Sequence, residues 1–440
     1  MNKKKITKIF IFLILFLLFS SAPVMGLSST LNHIEEIPLP SISSNGNHTP
    51  LVQIADNGQL VTLNYRNDPN FFVYDGNGSI LWNGTLSAEQ SPWVSSISVA
   101  PDGNELTVTQ LVPACCHGSV TNTSSNKVIL FDRRGVKSWE YPTYNPPLAS
   151  IVSGNNQDIF IGTDDGRIIC LNRDGTSRWI THVDAPVISL ATSRNGSMIV
   201  ATGESNYYFN KLYGEPLNPD DIFVLDDNGI LLWKYQTGGM NAAAVSDDGS
   251  IIAVIDRRSG NILLFNRSGS KLMERSLAGT TSAIAMSGDG NLVVVETREG
   301  IVYGLDHNGS PVWNVSVEPD SYGIAVSGNG NIVVLGNGRT ITTYNKNGDL
   351  LEEYPADSRI QSIESSPDTQ SLIVGTEQKL IFFWEKGSEP GTESPVVTPP
   401  RTMQSTHIPQ TPKGAPLIPV IPVLALVICT IGIVFFRKYL

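Results

Sequence analysis

Residues 282–317 read SAIAMSGDGNLVVVETREGIVYGLDHNGSPVWNVSV. Four short β-rich stretches alternate there with Gly/Asn/Asp turns: strand A around Ile284, B at 292–295, C at 301–305 and D at 311–317. Strands of about five residues at this spacing predict an antiparallel meander and not a βαβ unit.

The same unit recurs along the chain. Its C–D turn returns as Asp/Asn-x-x-Gly in the pairs Asp75/Gly78, Asp132/Gly135, Asn172/Gly175, Asp226/Gly229, Asn266/Gly269, Asp306/Gly309 and Asn345/Gly348. A type I turn takes Asp or Asn first, where the side chain caps the next backbone amides, and Gly where φ turns positive. Glycine-to-glycine intervals of 57, 40, 54, 40, 40 and 39 give a period near 40 with two insertions. The A–B turn repeats as well, at Gly58, Gly103, Gly196, Gly249, Gly290 and Gly330, whereas the third unit has Asn155-Asn156 and no matching glycine. Such a period predicts an all-β, eight-bladed β-propeller of four-stranded antiparallel blades over residues 33–386. The last blade, 360–385, lacks a strand D, and an orphan strand-like piece stands at 33–39. Pairing the two closes the ring and removes an exposed edge.

The ends predict export and anchoring. Lys3, Lys4, Lys5 and Lys8 precede the apolar run 9–19 and the small residues Ser20, Ser21, Ala22 and Gly26, the form of a signal peptide over 1–26, with an uncleaved anchor helix as the alternative. Residues 387–414 are rich in Pro, Thr and Ser, with 6 prolines in 28 residues, and read as an extended stalk. Residues 415–436 carry no charge and predict a transmembrane helix followed by a short cytoplasmic tail, 437–440, with Arg437 and Lys438 inside. Pro416, Pro419 and Pro422 leave open a tail that is cleaved and replaced by lipid. The expected location is the cell surface, with the propeller outside. Sequons at Asn47, Asn77, Asn83, Asn122, Asn195, Asn266, Asn308 and Asn314 fit that placement as N-glycosylation acceptors.

Net charge of −11 and the lack of a basic stripe outside the termini argue against nucleic acid. No paired histidines, Cys/His set at zinc spacing, calcium-loop pattern or nucleophile elbow appears, so no cofactor, metal or catalytic residue is expected.

Four residues after the C–D glycine stands Trp82, Trp139, Trp179, Trp233 and Trp313. This pattern resembles the pyrroloquinoline-quinone-type (PQQ-like) propeller repeat, over about residues 50–385, a fold shared with WD40-like rings. The resemblance implies that each Trp docks its ring between neighbouring blades against a backbone peptide. Met273 and Glu352 depart at the Trp position, and the Asp or Asn lies three residues before Gly where the family has four. Quinoprotein alcohol dehydrogenases of the wider family carry a vicinal disulfide beside their cofactor, which adjacent Cys115 and Cys116 match. A PQQ-dependent oxidoreductase is therefore the alternative reading, set against a structural disulfide.

The two insertions, 112–126 in blade two and 204–220 in blade four, both join strands B and C. In a four-stranded meander the B–C and D–A connections share one face of the ring. That face collects Trp93, Tyr144, Tyr207, Tyr208, Phe209, Tyr213 and Tyr322, which read either as rings that pack the long loops against each other or as an aromatic platform suited to a peptide or sugar. The expected function is a non-enzymatic surface scaffold that binds an envelope protein or glycan through these long loops.

Overall fold

The computed structural model describes residues 31–40, 49–65, 68–87, 92–112, 125–203, 221–237, 241–256, 259–319, 323–366 and 371–385. They form eight four-stranded sheets in a ring. Seven blades are uninterrupted meanders over 50–85, 93–142, 147–182, 187–236, 241–276, 281–316 and 324–355. The eighth joins Ile360–Ser365, Ser371–Thr376 and Lys379–Glu385 to Leu31–Pro38, which pairs antiparallel with the third of these as strand D. The ring is therefore closed by the N-terminal strand, as its missing partner predicts. The readings at 1–26, 387–414, 415–436 and 437–440 lie outside the described residues.

Strand order within a blade follows from burial. Strand B is buried along its whole length in blades one, three, four, six and eight, because both of its faces pack against neighbouring blades. Its sequence is accordingly a continuous apolar run, such as Ile159-Phe160-Ile161 or Val293-Val294-Val295. Strand D alternates exposed and half-buried residues and is the outermost edge. The core is thus a set of wedge-shaped clusters between successive blades, such as Leu60, Phe71 and Val73 of blade one against Ile97, Leu106 and Val108 of blade two.

The inter-blade tryptophans explain the repeat. Each indole Nε1 donates to the backbone oxygen that follows the capping Asp or Asn in the next blade's C–D turn. The acceptors are Arg133 for Trp82 (2.9 Å), Arg173 for Trp139 (2.8 Å), Asp227 for Trp179 (2.9 Å), Arg267 for Trp233 (3.0 Å) and Lys346 for Trp313 (2.9 Å). Each ring lies over the turn's glycine, so that glycine is required twice. At Gly348 φ is +82°, and a Cβ would stand 2.5 Å from Cγ of Trp313. Met273 covers Gly309 in the same way, and Ile37 of the closing strand covers Gly78. Glu352 replaces Trp for a topological reason. Strands C and D of the eighth blade come from opposite ends of the chain, so that blade offers no C–D hairpin to dock on. Truncating buried Trp313 to alanine (8% exposed) is expected to cost about 3–5 kcal/mol in urea unfolding. A loss below about 1 kcal/mol would refute the docking role.

Hydrogen bonds link successive A–B turns at one end of the ring. Asn57 N donates to Pro101 O, Arg194 N to Asp247 O, Asp247 N to Gly288 O and Gly288 N to Gly328 O. Asn155 Nδ2 reaches Asn195 O at 2.7 Å. Arg194 also pairs with Asp56 (2.8 Å), linking blade four to blade one. In the third unit Asn156 adopts φ +59° and so supplies the left-handed residue without glycine. A serine two residues before the turn's Asn or Asp recurs in blades three to eight, and its role was not apparent from spacing alone. Ser153, Ser193, Ser246, Ser287 and Ser327 each accept from the amide five residues on at 3.0 Å and donate to the turn's Asn or Asp carboxyl or amide oxygen.

Candidate binding face

The opposite end of the ring, where B–C and D–A connections emerge, carries both insertions. Residues 113–124 and 204–220 themselves lie outside the described residues, and with them Cys115, Cys116, Tyr207, Tyr208, Phe209 and Tyr213; so does Tyr322. What the structure describes is how the insertions are rooted.

The root of the blade-two insertion is a buried polar knot. Asn126, 4% exposed, accepts from Val112 N through Oδ1 (2.8 Å), tying the two ends of the insertion together. Its Nδ2 donates to Tyr144 O (3.2 Å), and Gln110 Nε2 donates to Ser125 O (2.8 Å). Thr143, fully buried, donates its hydroxyl to Asn145 O (2.8 Å) and receives Arg167 on its carbonyl. Arg167 also binds Asp165 (2.7 Å), which accepts from Asn145 Nδ2 (2.6 Å). Burial, with the charge of Asp165 beside it, raises the Asp164 carboxyl above its ordinary range.

This knot fixes Tyr144. The residue adopts φ +63°, a left-handed conformation that a bulky side chain rarely takes, and is 55% exposed. A non-glycine residue held in this region carries local backbone strain. Trp93 begins the inner strand of blade two opposite Leu111 and is only half-buried. Of the seven aromatics expected on this face, two are thus described, one exposed and one half-buried.

The blade-four insertion has a charged root. Lys234 Nζ bridges Asp184 (3.0 Å), in the D–A connection of blade three, and Asp221 (3.5 Å), where strand C resumes. The hydrogen bond from Lys234 holds the Asp184 carboxyl below its usual range. Spacing gave no hint of either root, since the residues involved are scattered polar side chains without period.

Two further acids stand elsewhere in the ring, Glu296 buried and Glu364 half-buried. Glu296, 2% exposed, is the last residue but one of strand B in blade six, towards the B–C end. Its Oε2 has no hydrogen-bond partner, and burial pushes its carboxyl up to about 8. Glu364, on the inner strand of blade eight, accepts from Gln53 Nε2 at 3.5 Å and is raised by burial to about 7. Cys170 is fully buried with its thiol pushed up to about 12, first by burial and then by Asp158; a thiol so protonated is inert. Among the described residues no three His, Cys, Asp or Glu side chains gather to hold a metal.

Comparison with known proteins agrees with this architecture. The family model described as outer membrane protein assembly factor BamB matches residues 124–288 and 258–389, which together span 124–389 of the chain. No curated protein matches. Among solved structures, BamB from Moraxella catarrhalis is similar with a TM-score of 0.56 and 15% identity, over 81% of this chain and 100% of that one. The C-terminal WD40 domain of Sif2 gives 0.60 at 12% identity, covering 81% and 99%. At such identities the likeness is one of fold. With the docked tryptophans, the closed eight-bladed ring and a family match over more than half its length, this chain belongs to the PQQ-like repeat family of β-propellers whose model bears the BamB description.

Proposed function

We propose that this protein is a non-enzymatic scaffold, exported and held at the cell surface, that captures an envelope protein or glycan on the B–C/D–A face of the ring. The single observation that carries the reading is Tyr144, strained at φ +63°, 55% exposed and held by the knot of Asn126, Thr143, Asn145 and Arg167. A rigid aromatic supplies contact area at small entropic cost, and such residues dominate binding energy at interfaces. Tyr144 stands beside the root of one insertion, and the root of the other follows on the far side of blade three. Export and anchoring are supported by the charged-then-apolar N-terminus and by the uncharged stretch 415–436.

Tyr144→Ala is the direct test. Surface partners recovered by cross-linking on intact cells should fall about 10-fold or more, as expected for a hot-spot aromatic. Stability should change by less than about 1 kcal/mol, because the ring is already in water. Undiminished capture would remove this face from consideration. Deleting 204–220 tests the second insertion in the same assay.

A further inference from the structure

The sequons are not equivalent once the blades are in place. Asn195 and Asn266 use their own side-chain oxygens inside turns: Asn195 Oδ1 accepts from Ser193 Oγ and Ser197 N, and Asn266 Oδ1 from Ser268 Oγ and Ser270 N. Asn77 and Asn308 are exposed, but the backbone amides of both the asparagine and the serine two residues on are tied to Asp75 and Asp306. Asn83 and Asn314 differ from all of these. Each follows an inter-blade Trp on the outermost strand, is exposed, and makes no side-chain hydrogen bond among the described residues. Side chains two apart on a strand share a face. Asn83 is therefore displayed together with Thr85, and Asn314 together with Ser316, all four exposed. The amide and the hydroxyl that define the sequon stand side by side on an edge that has no neighbouring strand, and the Thr85 hydroxyl donates to Asn70 Oδ1 at 2.7 Å.

We infer that Asn83 and Asn314 carry N-linked glycans. This rests on the export reading above, since the transfer takes place outside the cytoplasm. The donor is an oligosaccharide linked through phosphate or pyrophosphate to a lipid. Asn Nδ2 bonds to the sugar's anomeric carbon and loses one proton, while the bond from that carbon to the phosphate oxygen breaks and the lipid phosphate leaves. The two acceptors occupy the same repeat position in blades one and six. At that position blades two to five carry Glu140, Ile180, Lys234 and Glu274. Sugar on strand D would cover the open edges of blades one and six. It would leave bare the arc of blades two to five, which bears exposed Val136, Ile180, Ile230, Leu231, Leu232 and Leu272 and both long insertions.

The test is peptide mass spectrometry on full-length protein purified from the membranes of its own source. Labelling intact cells with a membrane-impermeant biotin reagent runs in parallel. The expected result is glycan mass on the peptides containing Asn83 and Asn314, lost in Asn83→Gln and Thr85→Val, retained in Thr85→Ser, and lost at the second site in Asn314→Gln. Surface-labelled protein with both peptides unmodified would overturn the assignment and leave the export reading standing. So would glycan confined to Asn195 or Asn266. Protein that is neither labelled nor glycosylated would overturn both.

Discussion

Glu296→Gln is expected to stabilise the propeller at pH 8.5 by about 3–5 kcal/mol, with the advantage vanishing near pH 4.5. The sign follows from the direction of the shift. Burial raises the folded-state carboxyl from an ordinary 4.5 to about 8. The protonated acid is tolerated between blades six and seven, while the carboxylate has no partner for Oε2. Stability linked to this group is therefore fully present below the unfolded value near 4.5, and it drains away as pH rises through 8. Glutamine keeps the shape and cannot ionise, so its urea midpoint should stay flat across that window. Glu364→Gln should act in the same direction over a narrower range, ending near 7. The measurement is unfolding free energy against pH for both variants. A variant curve that runs parallel to the parent from pH 5 to 9 would show that Glu296 does not sit protonated in the ring.

The second large effect concerns closure. Removing residues up to Pro40 should cost the ring at least about 4 kcal/mol, because it exposes a full strand edge and strips the apolar cluster of blades eight and one. Ile37 packs there with Val52, Leu63, Tyr74, Leu380 and Phe382. Glu36 adds a hydrogen bond from Tyr354 (2.9 Å) and an ion pair with Lys379 (2.6 Å), whose ammonium also binds Asp357. These bonds, that from Lys379 first, hold the Glu36 carboxyl below its usual range. A synthetic peptide covering residues 31–40, added in trans, should restore the lost stability by supplying strand D. Ile37→Asp in that peptide should abolish the rescue. A truncated ring as stable as the parent would mean that the closing strand is ornamental.

The blade count, blade limits and identity of the closing strand were legible because they rest on period. Turn glycines and apolar runs repeat, and each residue type answers to a local rule of φ or burial. Even Glu352 fits once the eighth blade is seen to lack a hairpin. Polar contacts between distant segments leave no such trace. Asn126 reaching Tyr144, Lys234 reaching Asp184 and Arg194 reaching Asp56 join residues 18, 50 and 138 positions apart. Nothing about an isolated Asn or Lys announces its partner. Glu296 was equally hidden: at the end of an apolar strand it reads as a solvated rim residue, and only the approach of the next blade buries it. For the binding face, sequence located the insertions, and the structure added the roots and the conformation of Tyr144.

The closing strand also sets the order of events in time. Glu36 meets Lys379, a partner 343 positions later in the chain. A ribosome or translocation pore delivers the chain from one end, so the first strand made waits for nearly the last before it can pair. Until then a growing stack of blades stands open at both sides, with one segment unclaimed. Contacts so far apart in sequence slow folding, and the interval is one in which the unclaimed segment is exposed to whatever else is nearby. The final step is a latch, and the molecule becomes a ring only when it is thrown.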